Sequence, residues 1–158
     1  MSEAIQKARE VFAELCAALD ARDWHYEKDE DNLSVRFGVT GADLPMKFMI
    51  AVDANRQVVR LLSPFTSVFP EDRRVEGAVA ACAMTYPLAN GSFDFDVQSG
   101  TCWFRQTASF RESKIGGGLL QNMISYTCAA VDLYNDRIDA LVKGELSLRE
   151  FLESIGKR

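Results

Sequence analysis

The sequence is poor in histidine, and this shortage limits the catalytic sites that it can build. His25 is the only histidine among 158 residues, so a Ser-His-Asp or Cys-His site would have to use it. It stands between Trp24 and Tyr26, no nucleophile-elbow motif accompanies it, and the sequence identifies no group that would position it as a base. We therefore interpret His25 as an exposed strand residue.

Nucleotide-binding motifs are also missing. Gly116–Gly118 is a run of three glycines, but the Gly-Lys-Ser/Thr of a P-loop does not follow it, and no GxGxxG motif follows a strand. Backbone amides at a helix start could bind an anion. The alternative, which we favour, is a flexible connection into the helix that follows.

Clustered cations are scarce as well. The formal net charge is −5, and the only adjacent basic pairs are Arg73–Arg74 and Lys157–Arg158. Nucleic-acid binding draws its affinity from clustered lysine and arginine. We therefore predict no nucleic-acid partner and interpret both pairs as solvated surface.

The cysteines do not have the spacing of a metal or redox motif. We predict four reduced, buried thiols, with no metal and no cofactor. The N-terminal residues lack the apolar core of a signal peptide, and no run approaches the roughly 18 apolar residues of a membrane span. We therefore expect a cytoplasmic protein without a membrane partner. The four cysteines are Cys16, Cys82, Cys102 and Cys128.

The first half of the chain changes its hydrophobic period twice. Apolar residues three and four positions apart predict a helix from about Ser2 to Arg22. Period-two alternation then predicts four strands joined by short turns, ending near Phe65. Helical period returns from Pro70, and we expect small residues on the flanks of this middle helix to let another element approach closely. Its predicted core stripe is Val75, Val79, Cys82 and Tyr86.

The segment 91–100 holds two carboxylates, Asp94 and Asp96, in a predicted hairpin strand. A calcium loop that starts at Asp94 requires a carboxylate at its twelfth position, where Arg105 stands. Strand alternation instead places both aspartates in water and the intervening apolar residues in the core. We therefore prefer a structural role to a metal site. The predicted core residues are Phe93, Phe95 and Val97.

Apolar residues cover a wider arc of the last long helix than one core contact requires, because one stripe suffices to cover the sheet and a second stripe lies beside it. The stripe predicted to cover the sheet is Leu120, Ile124, Val131, Tyr134, Ile138 and Leu141. We predict that this helix runs from Leu119 to about Lys143 and is ended by Gly144. A short helix follows it, and Ser147 and Glu150 form the capping box of that short helix. The wide arc implies a second contact, either with other helices of the same chain or with a partner. The candidate interface residues, on this arc and on the middle helix, are Gly77, Ala81, Leu119, Met123, Tyr126, Ala130 and Leu133.

The order of elements predicts an α+β fold in a single domain, residues 1–158. Four sequential strands form an antiparallel meander, and a hairpin adds two more strands. The N-terminal, middle and long C-terminal helices pack on this sheet. A chain of this length can bury such a core without disulfides or metals.

The chain resembles the YbjN family of small bacterial proteins, which are labelled sensory-transduction regulators. The resemblance is strongest from about Ala81 to Phe151, above all in "NGSFDFDVQSGTCWFR" with its G-x-F-x-x-D core. Members look like class I type III secretion chaperones in fold, and those chaperones are acidic dimers that hold an extended stretch of a partner protein. The resemblance implies that fold and a dimer, which could use either the long or the middle helix. The middle helix commonly pairs in the chaperones, which suits Gly77 and Ala81. A fourth strand and the extension past the third helix depart from the chaperone pattern.

These features favour a non-enzymatic protein-binding or regulatory module that forms a homodimer and takes an unknown protein partner. The alternative is a sensor domain that binds a small ligand between the sheet and the helices. A third hypothesis is an enzyme that uses His25 or the Asp94 and Asp96 pair.

Overall fold

The computed structural model describes residues 2–156, which form four α-helices and six strands. The helices are α1 (Glu3–Asp20), α2 (Arg74–Thr85), α3 (Gly117–Lys143) and α4 (Leu148–Gly156), and a 3-10 turn (Glu71–Arg73) precedes α2. The strands are β1 (Glu27–Asp29), β2 (Ser34–Thr40), β3 (Pro45–Asp53), β4 (Val58–Pro64), β5 (Ser92–Asp96) and β6 (Thr101–Ser109). They make one sheet in the order β1-β2-β3-β4-β6-β5, and every neighbouring pair is antiparallel. The predicted α+β fold, a four-strand meander plus a hairpin, is confirmed.

The hydrophobic core lies between one face of this sheet and the helices. Alternate residues of β3 are buried, as the period-two pattern predicts. Phe48 stacks on Phe37 of β2, and Ile50 lies opposite Leu61 of β4. The stripe of α3 that we predicted to cover the sheet is buried in full: Leu120, Ile124, Val131, Tyr134, Ile138 and Leu141.

The middle helix α2 packs on the sheet with the opposite face to the one we predicted. Its buried residues are Gly77, Ala80, Ala81 and Met84. The rings of Phe95 and Phe69 lie directly under Gly77, so only a surface of small residues brings the helix this close. The predicted core stripe is consequently on the outside, and all four of its residues are exposed: Val75, Val79, Cys82 and Tyr86.

The glycine run Gly116–Gly118 forms the start of α3 rather than a connection that precedes it. Gly116 is the N-cap residue, in an extended conformation, and Gly117 begins the helix two residues earlier than predicted. At the other end, Gly144 is left-handed at φ 75°, as expected for a helix stop. Arg73 is half-buried there, because its guanidinium donates to the Val142 carbonyl at 3.2 Å and pairs with Glu76 at 2.7 Å. It is therefore not the solvated side chain that we predicted, and Lys157–Arg158 lie outside the described residues.

We expect Gly118→Ala to stabilise the protein by about 0.5–1 kcal/mol, measured by urea denaturation. Gly118 lies in the first turn of α3, and a methyl group built on it meets no atom within 4 Å. Alanine would therefore gain helix propensity and restrict the unfolded chain without a clash. A loss of stability would show that this turn requires the backbone freedom of glycine.

The short helix α4 begins at the predicted capping box. The backbone amide of Ser147 donates to the Glu150 carboxylate at 2.8 Å, and the Glu150 amide donates to the Ser147 hydroxyl at 3.2 Å. This reciprocal pair satisfies two amides that the helix would otherwise leave without partners. The helix is anchored by Phe151, which is fully buried.

Candidate functional site

The two carboxylates Asp94 and Asp96 serve the hairpin of β5 and β6. Asp94 pairs with Arg105 at 2.7 Å and accepts from the Ser92 hydroxyl at 2.7 Å. Asp96 accepts from the Ser99 hydroxyl at 2.6 Å and the Gln98 amide at 2.9 Å, and these bonds hold its pKa below the usual range. Within residues 2–156, no three histidine, cysteine, aspartate or glutamate side chains lie together as metal ligands would.

The same hairpin corrects one predicted core residue. Phe93 is buried and Phe95 is half-buried, but Val97 is 60% exposed. β5 ends at Asp96, and the Gly100 amide donates to the Asp96 carbonyl at 2.8 Å to close the turn. Val97 therefore lies in the turn, where strand alternation no longer decides which way a side chain faces.

His25 is exposed, as predicted, but it lies in the segment between α1 and β1 and not in a strand. Its Nδ1 atom is 3.3 Å from the Asp23 carbonyl oxygen, and the residue lines the edge of a surface groove described below. The structure places neither Asp94 nor Asp96 among the residues that line this groove. The two sets of side chains that a catalytic hypothesis would use are thus in separate places.

The cysteines differ in exposure, and one of them contradicts our prediction. Cys16 and Cys102 are buried, Cys128 is half-buried, and Cys82 is exposed on α2. Burial raises the pKa of the Cys102 thiol to about 12 and also raises the pKa of Cys16 and Cys128. These three thiols are protonated at neutral pH, which leaves Cys82 as the accessible one.

The seven candidate interface residues fall into three groups by exposure. Four are covered within the chain and offer no surface to a partner: Gly77, Ala81, Met123 and Ala130. Tyr126 is half-buried against the core and lies near the ring of Phe104. Leu119 and Leu133, at 45% and 44% exposure, are the members of the set that remain on the outside.

A continuous apolar surface lies instead along the outer side of α2. We call it the α2 stripe, and it consists of Val75, Val79, Cys82 and Tyr86. Val75 is 77% exposed and Tyr86 is 91% exposed. Residues at spacings of four, three and four share one side of a helix, so these side chains form a single strip. Exposed apolar surface of this kind marks contacts with other molecules.

The second uncovered surface is the sheet face that points away from the helices. We call it the open-sheet groove; it has a volume of about 870 Å³. Its floor is Met49, which lies opposite Leu62, together with Pro64, which lies opposite Trp103. These apolar residues alternate along their strands with buried ones, so both sides of β3 and β4 carry apolar side chains.

Sequence analysis missed this groove because its residues come from separate strands. The signal that could have identified the groove is the presence of apolar residues at strand positions that face away from the core. Met49 and Leu62 stand between core residues at positions where a solvated sheet normally carries polar side chains. The lining residues, apart from the four already named, are His25, Tyr26, Glu27, Arg36, Phe37, Gly38, Lys47 and Phe48.

The space between α3 and the sheet is small. The cavity beside Val131 and Asn135, which also touches Met46 and Phe65, holds about 10 Å³. A volume of this size admits at most one water molecule. This place therefore does not offer the room that a small-ligand sensor would need.

Hydropathy along the described helices is too low for a membrane span in any of them.

Comparison with solved structures confirms the type III secretion chaperone-like fold. The structure of the HopA1-SchA chaperone-effector complex matches with a TM-score of 0.52 and 14% identity, over 80% of this chain and 94% of the matched chain. The crystal structure of the ExsC-ExsE complex matches with a TM-score of 0.54 and 8% identity, over 82% of this chain and 93% of the matched chain. No family model and no curated protein matches the sequence, so membership of the YbjN family stays a prediction.

Proposed function

We propose that this protein is a non-enzymatic module that binds a segment of another polypeptide and works as a homodimer. The observation that carries the proposal is the pair of uncovered apolar surfaces, the α2 stripe and the open-sheet groove, on opposite sides of one small fold. Each surface has a different shape, so each suits a different kind of contact. The shared fold with a chaperone-effector complex supports the proposal.

The α2 stripe suits a contact between two copies of the chain. A two-fold axis brings the same patch of both subunits together, so a straight apolar strip on one helix can pair with itself. Val75 and Tyr86 stand at its two ends and are the most exposed of its residues. This contact replaces the one that we predicted through Gly77 and Ala81, which face the core of their own chain.

The open-sheet groove suits a polypeptide segment rather than a compact molecule. It is a broad trough on a sheet surface and lies outside the filled space between sheet and helices. Small-molecule sites enclose most of their ligand, whereas an open trough can receive a chain that enters and leaves at its ends. Three of the thiols are protonated and none is paired, which suits the reducing conditions of a cytoplasm.

Native mass spectrometry of the tagged full chain, purified from its source cell, tests the proposal. We expect a species that contains two copies of the chain and one or more bound polypeptides. A homogeneous monomer with a small molecule attached would instead support a ligand sensor. A monomer without any bound molecule, at tens of micromolar, would contradict both the dimer and the binding role.

We expect Val75→Asp to convert the dimer into monomers, as measured by light scattering at tens of micromolar. Val75 is 77% exposed, so the change leaves the core of the monomer intact. A carboxylate in the first turn of α2 is also favourable for the helix dipole. At a paired interface each carboxylate would instead be buried against apolar side chains of the other copy, which is strongly unfavourable.

Val97→Asp is the matched control for this experiment. Val97 is also an exposed valine, at 60%, but it lies in the turn after β5 and outside the α2 stripe. The same substitution there should leave the mass of the dimer unchanged. Equal effects of the two variants, or no effect of Val75→Asp, would remove α2 from the interface.

A further inference from the structure

The charges around the open-sheet groove differ in sign from the charge of the whole chain. The chain carries a formal net charge of −5, yet Arg36, Lys47 and Arg60 project on the groove side of β2, β3 and β4. Among the described residues these three cations form no ion pair within 4 Å. Glu27, the cross-strand neighbour of Arg36, is the one carboxylate that lines the groove.

The register of the sheet arranges these charges around the apolar floor. Arg36 lies opposite Met49, Met49 opposite Leu62, and Leu62 opposite Arg105. One row of cross-strand neighbours therefore consists of a cation, two apolar side chains and a second cation. Neighbouring strands are about 4.8 Å apart, so the two arginines are separated by about 14 Å.

The four cations differ in whether a carboxylate already lies beside them. Arg105 is already paired with Asp94 at 2.7 Å. Arg36 has Glu27 beside it in the register, and Lys47 lies opposite Gly38, which has no side chain. Arg60 lies opposite Ala51 on one side and Thr107 on the other. Asp53 on the same face of β3 also has its pKa lowered, first by hydrogen bonds from Arg56 and in part by the charge of Arg60. Lys47, next to Met49 on β3, is consequently the one of these cations that has no carboxylate beside it in the register of the described strands.

From this arrangement we infer that the open-sheet groove selects an acidic, amphipathic polypeptide segment. The segment lies across the strands in an extended conformation, with apolar side chains on the floor and carboxylates beside Arg36 and Lys47, the two cations that line the groove. In an extended chain, residues at positions i and i+2 face the same way and are about 6.6 Å apart, so acidic and apolar residues at alternate positions can reach Arg36 and the adjacent floor together. This inference rests on the proposed function and adds the chemistry of the partner.

Nucleic acid is a poorer occupant of this groove. Met49, Leu62 and Pro64 of the floor offer no base-stacking surface, and the rings of Phe37 and Phe48, which also line the groove, are buried. Glu27 and Asp94 also stand next to two of the four cations. These carboxylates would repel a phosphate backbone but leave room for a peptide that places each carboxylate on an unpaired cation.

Fluorescence polarisation with two synthetic peptides tests the inference. The probe is a fluorescein-labelled peptide that repeats Glu-Ser-Leu-Ser, and its counterpart repeats Lys-Ser-Leu-Ser. We expect the full chain to bind the glutamate peptide at least about tenfold more tightly than the lysine peptide. Raising the salt concentration should weaken this binding, because the charges around the groove are exposed.

The variant Arg36→Gln/Lys47→Glu removes three units of positive charge from the groove. Both side chains are exposed, so the fold should persist, which circular dichroism can verify. We expect affinity for the glutamate peptide to fall about tenfold. Arg111→Gln/Lys114→Glu makes the same change in charge on the exposed segment between β6 and α3 and should leave the affinity unchanged.

Five results would overturn the inference, four of them in binding experiments. These four are equal binding of the two peptides, no binding of the glutamate peptide at millimolar concentration, equal losses in the two double variants, and tighter binding of a uridine-rich RNA oligonucleotide. A loss of self-association in Arg36→Gln/Lys47→Glu would also overturn it, because the occupant would then be a second copy. If native mass spectrometry still finds a bound polypeptide in any of these cases, the proposed function stands and only the acidic chemistry fails.

Discussion

Phe93→Ala is expected to lower the free energy of unfolding by about 3–5 kcal/mol. Phe93 is almost completely buried and lies at the centre of an aromatic cluster. Its ring stacks on Phe65 at a centroid distance of 5.6 Å and meets the edges or faces of Phe104 and Tyr134 at 5.0 Å and 5.5 Å. Alanine would leave a cavity between β5, β6 and α3 that the neighbouring rings cannot fill. Urea denaturation followed by circular dichroism measures the loss.

Val97→Ala is the control for this prediction. The alternation of the segment 91–100 assigns Val97 and Phe93 to the same core face, but the structure leaves Val97 in the turn. Its truncation should change the free energy of unfolding by less than about 0.5 kcal/mol. Both variants should be measured at the same protein concentration, because the apparent stability of a dimer depends on concentration. A large loss in Val97→Ala would restore the sequence-based assignment.

Gly77→Ala is expected to destabilise the protein by about 1–3 kcal/mol, because it overfills the contact between α2 and the sheet. A methyl group at Gly77 would lie 2.5 Å from two ring atoms of Phe95 and 3.0 Å from the ring of Phe69. These rings also contact each other edge to face at 5.5 Å, so neither can move away freely. The clash exceeds the gain in helix propensity, which is about 1 kcal/mol.

Gly118→Ala provides the contrast, because it makes the same substitution in a helix with open space around it. The two variants should shift the midpoint of urea denaturation in opposite directions. If the two midpoints did not shift in opposite directions, the interface that we predicted through Gly77 would regain support. If Gly77→Ala kept its stability but changed its mass in light scattering, Gly77 would lie against a partner rather than against Phe95.

Much of the local structure follows from the sequence alone. Period-two runs predicted the strands from Ser34 to Pro64, and the capping box at Ser147 predicted the start of α4. Local patterns succeed here because the strand period and the cap are both decided within a few residues. The buried stripe of α3 was predicted for the same reason, because the spacing of its apolar residues is also a local pattern.

The candidate site was predictable only in part. The sequence identified Val75, Val79, Cys82 and Tyr86 as one stripe of a helix, and they do share one side of α2. It did not identify Arg36, Lys47, Met49 or Leu62 as one surface, because their contact depends on the register of three strands. Register is a property of paired strands, and a single strand's pattern does not contain it.

The sequence by itself determined the type and order of the elements and which side chains share a face. Only the tertiary structure decided which face of α2 meets the sheet. Periodicity ranks faces by hydrophobicity and so favours the valines, whereas the rings of Phe95 and Phe69 leave no room for a side chain at Gly77. The same steric requirement turned the α2 stripe outward, where it became the surface that we expect to join two copies of the chain.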